Sequence, residues 1–479
     1  MQRRRFLAAA TGLTGASLLT GDTVATGGRV THAEFEPSGS VDVPGAKEAV
    51  VHHDGDVAYV ATGDGFAAVD IADPGDPTVI SERRRIETDA DELLGGIWDL
   101  RPSGDRLVVA GPANEPAAVS GFALFDISDP TQPEQVAFYP TEYAIHNCYF
   151  EDDTVYLTGS AAADRALVMV DVTADTPEEI GRWSLADADS ANEAIPGLMQ
   201  PLHDVSVQDG VAYLPYWDAG TWIVDVSEPA DPSVLSRVGD FDLAQLREFA
   251  ERSPVIETAT TPGNAHYAQV NDDGTILAVG KEAWTVEGTD GPIGGAGGVD
   301  IYDVSEKTDP SHLAHIEPPP SYSQRRSGWF TTAHNLDIAG DRLYTSWYFG
   351  GVKIHDISDP GNPTVAAWWR KPREASFWTA RSAGDVFVAS RLDASFIANS
   401  VPNTTREALY VFPDIAGRQH EPPSLEQPPG TANDPAGNAA NSTDAAADDG
   451  GAGFGAGAAL AGAGTLSYLL ARGRGSDEQ

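Results

Sequence analysis

The chain has 479 residues, and its 72 acidic against 30 basic residues give a formal charge of −42. No basic stripe is present to neutralise phosphates, which argues against nucleic acid as a partner, and the single cysteine, Cys148, excludes an intramolecular disulfide framework. The acids are spread along the chain rather than gathered in one tail, a pattern suited to high salt, where screening removes self-repulsion.

At the N-terminus, Arg3-Arg4-Arg5-Phe6-Leu7 leads into an apolar run to about Thr20 and a small-residue site near Thr23-Val24-Ala25. That order predicts an export signal over residues 1–25. Seven short apolar segments follow: Val57-Ala-Tyr-Val, Leu107-Val-Val-Ala, Val155-Tyr-Leu-Thr, Val211-Ala-Tyr-Leu, Thr275-Ile-Leu-Ala, Leu343-Tyr-Thr-Ser and Val386-Phe-Val-Ala. Each of the first six is followed by a second apolar strand ending in an acid, at Asp70, Asp126, Asp171, Asp225, Asp303 and Asp356. In five of these a proline stands seven residues later, at Pro77, Pro133, Pro232, Pro310 and Pro363; Pro177 comes one residue early. The carboxylate after each strand suits capping of the turn that follows. Four strands per unit at roughly 45–55 residues is blade spacing, so the pattern predicts an all-β, seven-bladed propeller of four-stranded blades over residues 30–415. The seventh unit ends at Asp414 without a fourth strand. Residues 30–43 supply it, closing the ring and removing an exposed sheet edge.

Phe125-Asp126-Ile127-Ser128-Asp129-Pro130, Val224-Asp225-Val226-Ser227 and Ile354-His355-Asp356-Ile357-Ser358-Asp359-Pro360 resemble the LVIVD repeat family, over about residues 45–415. The resemblance implies a secreted or surface propeller and carries no agreed activity. The paired arginines ahead of Phe6-Leu7 resemble a twin-arginine (Tat) signal. At the other end, residues 416–449 have the composition of a disordered stalk, and residues 450–479 combine an uncharged stretch with a basic and acidic end. That segment, starting Gly453-Phe454-Gly455, resembles the C-terminal sorting tails of haloarchaeal surface proteins and predicts a membrane anchor; the acidic surface resembles theirs too. Asn403-Thr404-Thr405 and Asn441-Ser442-Thr443 are glycosylation sequons.

Laid side by side, the units show one chemical column just ahead of the first apolar strand of each: Ala49, Trp98, His146, His203, His266, His334 and Trp378. Four histidines therefore begin the innermost strands of four consecutive blades, where the chains converge on the channel. The long insertions at 184–200, 239–263, 283–298 and 318–331 fall on the same face, and residues 240–250 have helical spacing. Trp217, Trp284 and Trp347 end strands on that side, beside Glu282 and Tyr348, and with Trp98 and Trp378 they form a candidate ligand rim.

Three readings of the histidines stand at this point. They can hold one divalent transition metal (Zn, Fe or Cu), because neutral imidazole is a common ligand and an incomplete set leaves an open position. They can tie strands together, as histidines bonded to Asp do in propellers of the WD-repeat type. They can line a binding rim. The expected function is an exported, cell-surface binding module whose partner is a surface protein, peptide or glycan, held to the membrane through its C-terminal segment. The alternative is a metal-dependent enzyme, an oxidoreductase or hydrolase, with Asp204 or Glu282 as the base beside the metal. His52, His53, His312, His315, His355 and His420 fall outside the column and read as solvent-facing or packing residues. Arg325-Arg326 before Trp329 can greet an anionic ligand but reads first as a solvated loop pair, and Cys148 as a small core residue.

Overall fold

The computed structural model describes residues 33–427, apart from 89–91, 115–116, 160–163, 175, 249–257, 289–290 and 394–405. Seven four-stranded antiparallel sheets make a ring of blades. Blades one to six span residues 49–83, 99–141, 148–183, 206–238, 265–316 and 336–369. Blade seven combines Arg381–Ala383, Val386–Arg391 and Ala408–Pro413 with Gly39–Asp42 from the beginning of the described chain. Innermost strands touch those of the next blade all the way round, and the first contacts the last.

The apolar segments occupy the second position in each blade because both faces of that strand meet a neighbouring sheet. Val57–Ala61 is buried at every residue, whereas the outer strand Thr78–Arg83 is half-exposed throughout. The Asp that ends each third strand does what its position predicts. Asp126 Oδ1 accepts from Ser128 N at 2.9 Å, and Asp225, Asp303 and Asp356 repeat the contact with Ser227, Ser305 and Ser358. One regular feature has no marker in the sequence. In blades one to six the pairing of third and fourth strands slips by one residue two positions before that Asp, at Ala68/Val69, Leu124/Phe125, Met169/Val170, Ile223/Val224, Ile301/Tyr302 and Ile354/His355. A bulge at the same place in six blades gives each outer strand the same added twist.

Closure follows the predicted route, with Ser40 opposite Tyr410 and Asp42 opposite Ala408. Phe35 stacks on Phe387 and Phe412, and Glu36 Oε2 accepts from Trp369 Nε1 at 2.6 Å. The first residues of the segment read as a stalk are packed on the propeller. Gly417 N donates to Ala366 O at 3.0 Å, Arg370 Nε donates to Pro423 O at 3.0 Å and Tyr322 N donates to Leu425 O at 2.8 Å, so residues 416–427 pack on the propeller. The polar and proline-rich composition gives no sign of this, because most of these contacts run through backbone groups, with the Gln419 side chain paired to the Arg370 backbone. The predicted export signal, the rest of the stalk, the C-terminal anchor and both sequon asparagines, Asn403 and Asn441, lie outside the described residues. The helix expected within 240–250 runs from Leu243 to Glu248, buries Leu246, and is tied down by Arg247, which donates to Asn192 Oδ1 at 2.7 Å.

Candidate metal centre at the channel entrance

Each ring histidine sits where an inner strand begins. His203 N donates to Pro215 O at 3.0 Å and His334 N to Ser346 O at 3.1 Å, so the residue is pinned to its own blade while its ring is left for the channel. The four imidazoles are buried and pack in sequence, with centroids 4.3 Å apart for His146 and His203, 3.7 Å for His203 and His266, and 4.7 Å for His266 and His334. Trp378 continues the series at 4.1 Å from His334. Trp98 closes it, 5.7 Å from Trp378 and 5.8 Å from His146. Six aromatic rings thus form one closed circuit around the channel mouth.

The hydrogen bonds of the imidazoles fix which nitrogen is available. His146 Nδ1 lies 3.1 Å from both Ala113 O and Asn114 Oδ1, His203 Nδ1 lies 3.0 Å from His266 O, and His334 Nδ1 lies 2.7 Å from Trp378 O. A carbonyl oxygen only accepts, so this network assigns the proton to Nδ1 in all three rings and leaves each Nε2 with its lone pair. His266 differs. Its Nδ1 is 3.3 Å from Glu282 Oε2, at ion-pair distance but outside hydrogen-bond alignment, and its Nε2 is 3.2 Å from His334 Nε2. Two nitrogens bound tetrahedrally to one ion at 2.0–2.1 Å stand about 3.3 Å apart, so this facing pair has the separation of two ligands. One ligand atom from each of His266, Glu282 and His334 falls within 4.8 Å of the others.

Burial keeps the imidazoles neutral. It lowers His146 to about 4 and His334 to about 3, and holds His203 and His266 well below the ordinary value. Burial pushes Glu282 the other way, up to about 7, against the opposing influence of Arg326 and a hydrogen bond donated by Tyr348 Oη. Neutral imidazole is the form that ligates metal, and a carboxyl poised near neutrality can hold or release a proton.

The inner-strand pairing corrects one member of the column. Ala61 N donates to Glu48 O as Ser346 N does to Asn335 O and Thr158 N to Asn147 O. Lys47 therefore stands level with the histidines, and Ala49 lies two residues further in; the apolar run Ala49-Val50-Val51 hid the true start. The Lys47 ammonium reaches Gly45 O at 3.4 Å and Ala46 O at 3.3 Å. The next residue of each strand then forms a layer of Glu48, Asp99, Asn147, Asp204, Tyr267, Asn335 and Thr379, polar throughout and buried. Glu48 organises it from blade one. Its carboxylate accepts from Thr379 Oγ1 and Arg381 Nε at 3.0 Å each and from Asn335 Nδ2, and lies 3.7 Å from Arg101 Nη1. Burial opposes ionisation of Glu48, but Arg381 and Arg101 prevail and its pKa is lowered.

Asp204 belongs to this layer and not to the histidine ring. Its Oδ1 accepts from Val205 N at 2.6 Å, and among the described residues no hydrogen bond links it to a ring histidine, which leaves Glu282 as the carboxylate beside the ring. The rim tryptophans divide. Trp98 and Trp378 complete the circuit, Trp217 stacks on His203 at 6.2 Å, and Trp284 joins Phe330, Tyr348, Phe349 and Trp378 in one aromatic cluster. Trp347 leaves the rim: it is fully buried among Leu336, Ile338 and Leu343, with Nε1 donating to Thr345 Oγ1 at 2.6 Å. Its neighbour Tyr348 takes the mouth position, 4.9 Å from His334.

Backbone conformation explains that exchange. Tyr348 (φ 47°) and Trp217 (φ 40°) adopt left-handed conformations at matching turn positions, where blade one has Gly63. Each of the three bridges to the residue just before the next blade's column member: Tyr348 to Phe377, Trp217 to Ala265 and Gly63 to Ile97. A bulky residue there is strained, and in blades four and six the strain brings an aromatic ring onto a histidine. Of the outlying histidines, His355 is buried packing, while His315 and His312 face Asp300 at 2.6 and 3.4 Å.

The fold and this closed ring define a seven-bladed propeller with a histidine-lined channel entrance. The model for the LVIVD repeat matches residues 50–82 and 202–240 of the chain. No curated protein sequence matches the chain. Among solved structures it is similar to the β-propeller domain of Cps50 (Swd1) from Myceliophteria thermophila, at 10% identity over 79% of this chain and 99% of that one, with a TM-score of 0.52. It is also similar to a hypothetical selenium-binding protein from Sulfolobus tokodaii (12% identity, 70% and 82% covered, TM-score 0.46) and to BamB from Moraxella catarrhalis (10% identity, 81% and 100% covered, TM-score 0.46). At these identities the likeness concerns the fold.

Proposed function

We propose that this LVIVD propeller binds one divalent transition metal through Nε2 atoms of the ring histidines and works as a metal-dependent oxidoreductase or hydrolase outside the cytoplasm. The observation that carries the reading is the imidazole hydrogen-bond pattern. His146, His203 and His334 are held by Nδ1 on backbone carbonyls, the outer-sphere arrangement that orients metal-bound imidazole. Asp, the partner expected of a strand-tying histidine, is not among their hydrogen-bond partners in the described residues. Zn, Fe and Cu suit an all-imidazole set. A bound ion with an open position would supply Lewis-acid or redox chemistry. The protein's own part is to keep four rings neutral, to orient them, and to hold a proton on Glu282 beside His266. Export and surface anchoring rest on the two chain ends, and the aromatic rim then serves to hold the substrate.

Metal content measured by mass spectrometry on the full chain, prepared at high ionic strength, tests this reading. Close to one equivalent is expected, falling below a tenth in a His203→Ala/His334→Ala double variant that still melts cooperatively. No metal after reconstitution with Zn, Fe or Cu sinks it and returns the mouth to the binding-module reading.

A further inference from the structure

The two arginines of the 318–331 insertion, read together as a solvated pair, have different fates. Arg325 pairs with Glu287. Arg326 lies with its guanidinium carbon 4.7 Å above the ring of Trp284 and has no carboxylate within ion-pair distance among the described residues; its Nε is buried without a hydrogen-bond acceptor. Its charge is nevertheless felt at the metal centre, since it lowers the pKa of both Glu282 and His266. The Glu282 carboxyl thus lies close enough to feel the charge of Arg326 yet makes no ion pair with it, and the buried Nε is left without an acceptor among the described residues.

Two further donors share this condition. Trp284 Nε1 and Trp217 Nε1 have no acceptor among the described residues, although both residues are 95% buried. Buried N–H donors are normally satisfied, and an unmade bond costs about 1–3 kcal/mol. A guanidinium and indole N–H groups are all donors, so the missing group is an acceptor, and the guanidinium gives it a negative charge. The surrounding wall is apolar, with Phe330, Phe349 and Trp378 in the same cluster as Trp284.

We propose that the channel mouth takes a small aromatic carboxylate, its carboxylate docked on Arg326 and the Trp284 indole N–H and its ring against the aromatic side chains around Trp284. The proposal deepens the metal-centre reading by naming its substrate class. A planar carboxylate matches the guanidinium fork in a bidentate pair, which a neutral alcohol or amide of the same shape cannot form.

Benzoate is the probe, with benzyl alcohol as its neutral counterpart, titrated calorimetrically at one fixed chloride concentration. Wild type, Arg326→Gln, Arg326→Lys and the His203→Ala/His334→Ala variant are compared. Benzoate is expected to bind wild type and to lose at least tenfold in affinity in Arg326→Gln, with Arg326→Lys between them, while benzyl alcohol binds more weakly and equally to all. Benzoate binding that is absent from wild type, or unchanged in Arg326→Gln, overturns the proposal. So does binding that survives Arg326→Gln and vanishes only with the ring histidines, since the anion would then sit on the metal alone. If metal is absent but the loss in Arg326→Gln remains, the docking site stands and the metal reading fails.

Discussion

Glu48→Ala is expected to lower the unfolding free energy by about 3–5 kcal/mol, the range for breaking a buried ion pair from one side. Glu48 is 1% exposed and is the shared acceptor for Arg381, Thr379 and Asn335, with Arg101 close by. Its removal leaves two buried guanidinium groups whose remaining acids are compromised: burial raises Asp99 and raises Asp204 well above the ordinary carboxylate range. The contacts also join blades one, two, six and seven across the channel, so the loss is shared by the whole ring. Glu48→Gln keeps the shape and one acceptor and should lose less. Denaturant unfolding at high salt, followed by tryptophan fluorescence, gives both values. A loss below about 1 kcal/mol for the alanine variant would mean that water replaces the carboxylate.

Acid should destabilise the metal-free protein steeply between pH 6.5 and 4. An unfolded imidazole takes up a proton near 6.5, whereas folded His146 does so only at about 4 and folded His334 at about 3. In that window the unfolded state binds more protons, so stability is full above pH 6.5 and falls as pH falls. At about 1.4 kcal/mol per unit, these two rings alone account for several kcal/mol at pH 4. Glu282 acts in the opposite sense, because its raised folded value favours proton uptake between about 4.5 and 7, and offsets part of the loss. Melting temperature against pH, for wild type and a His146→Gln/His334→Gln variant, measures the difference. Equal slopes for the two proteins would show that the ring is not held neutral by its surroundings.

Much of this was legible in the sequence because propeller repeats write their period in Asp and Pro. The four histidines stood out because the same uncommon residue recurs at a matching place in four consecutive repeats, which alignment makes visible. Glu48 was not legible. It precedes an apolar run that pulls the alignment two residues downstream, and its partners Arg381 and Asn335 lie more than 280 positions away in the chain. The exchange of Trp347 for Tyr348 turns on a left-handed backbone that adjacent aromatic residues do not announce. Asp204 and Glu282 looked equivalent as acids near histidines. Their separation depends on depth in the channel, set by strand pairing rather than by composition.

The most direct test of the metal centre is X-ray absorption at the edge of the bound ion, recorded on the full chain before and after chelation. The account predicts nitrogen neighbours at about 2.0–2.1 Å with the multiple scattering of imidazole, lost in the His203→Ala/His334→Ala variant. A first shell of oxygen alone, or an unchanged spectrum in that variant, would place the metal elsewhere and contradict it.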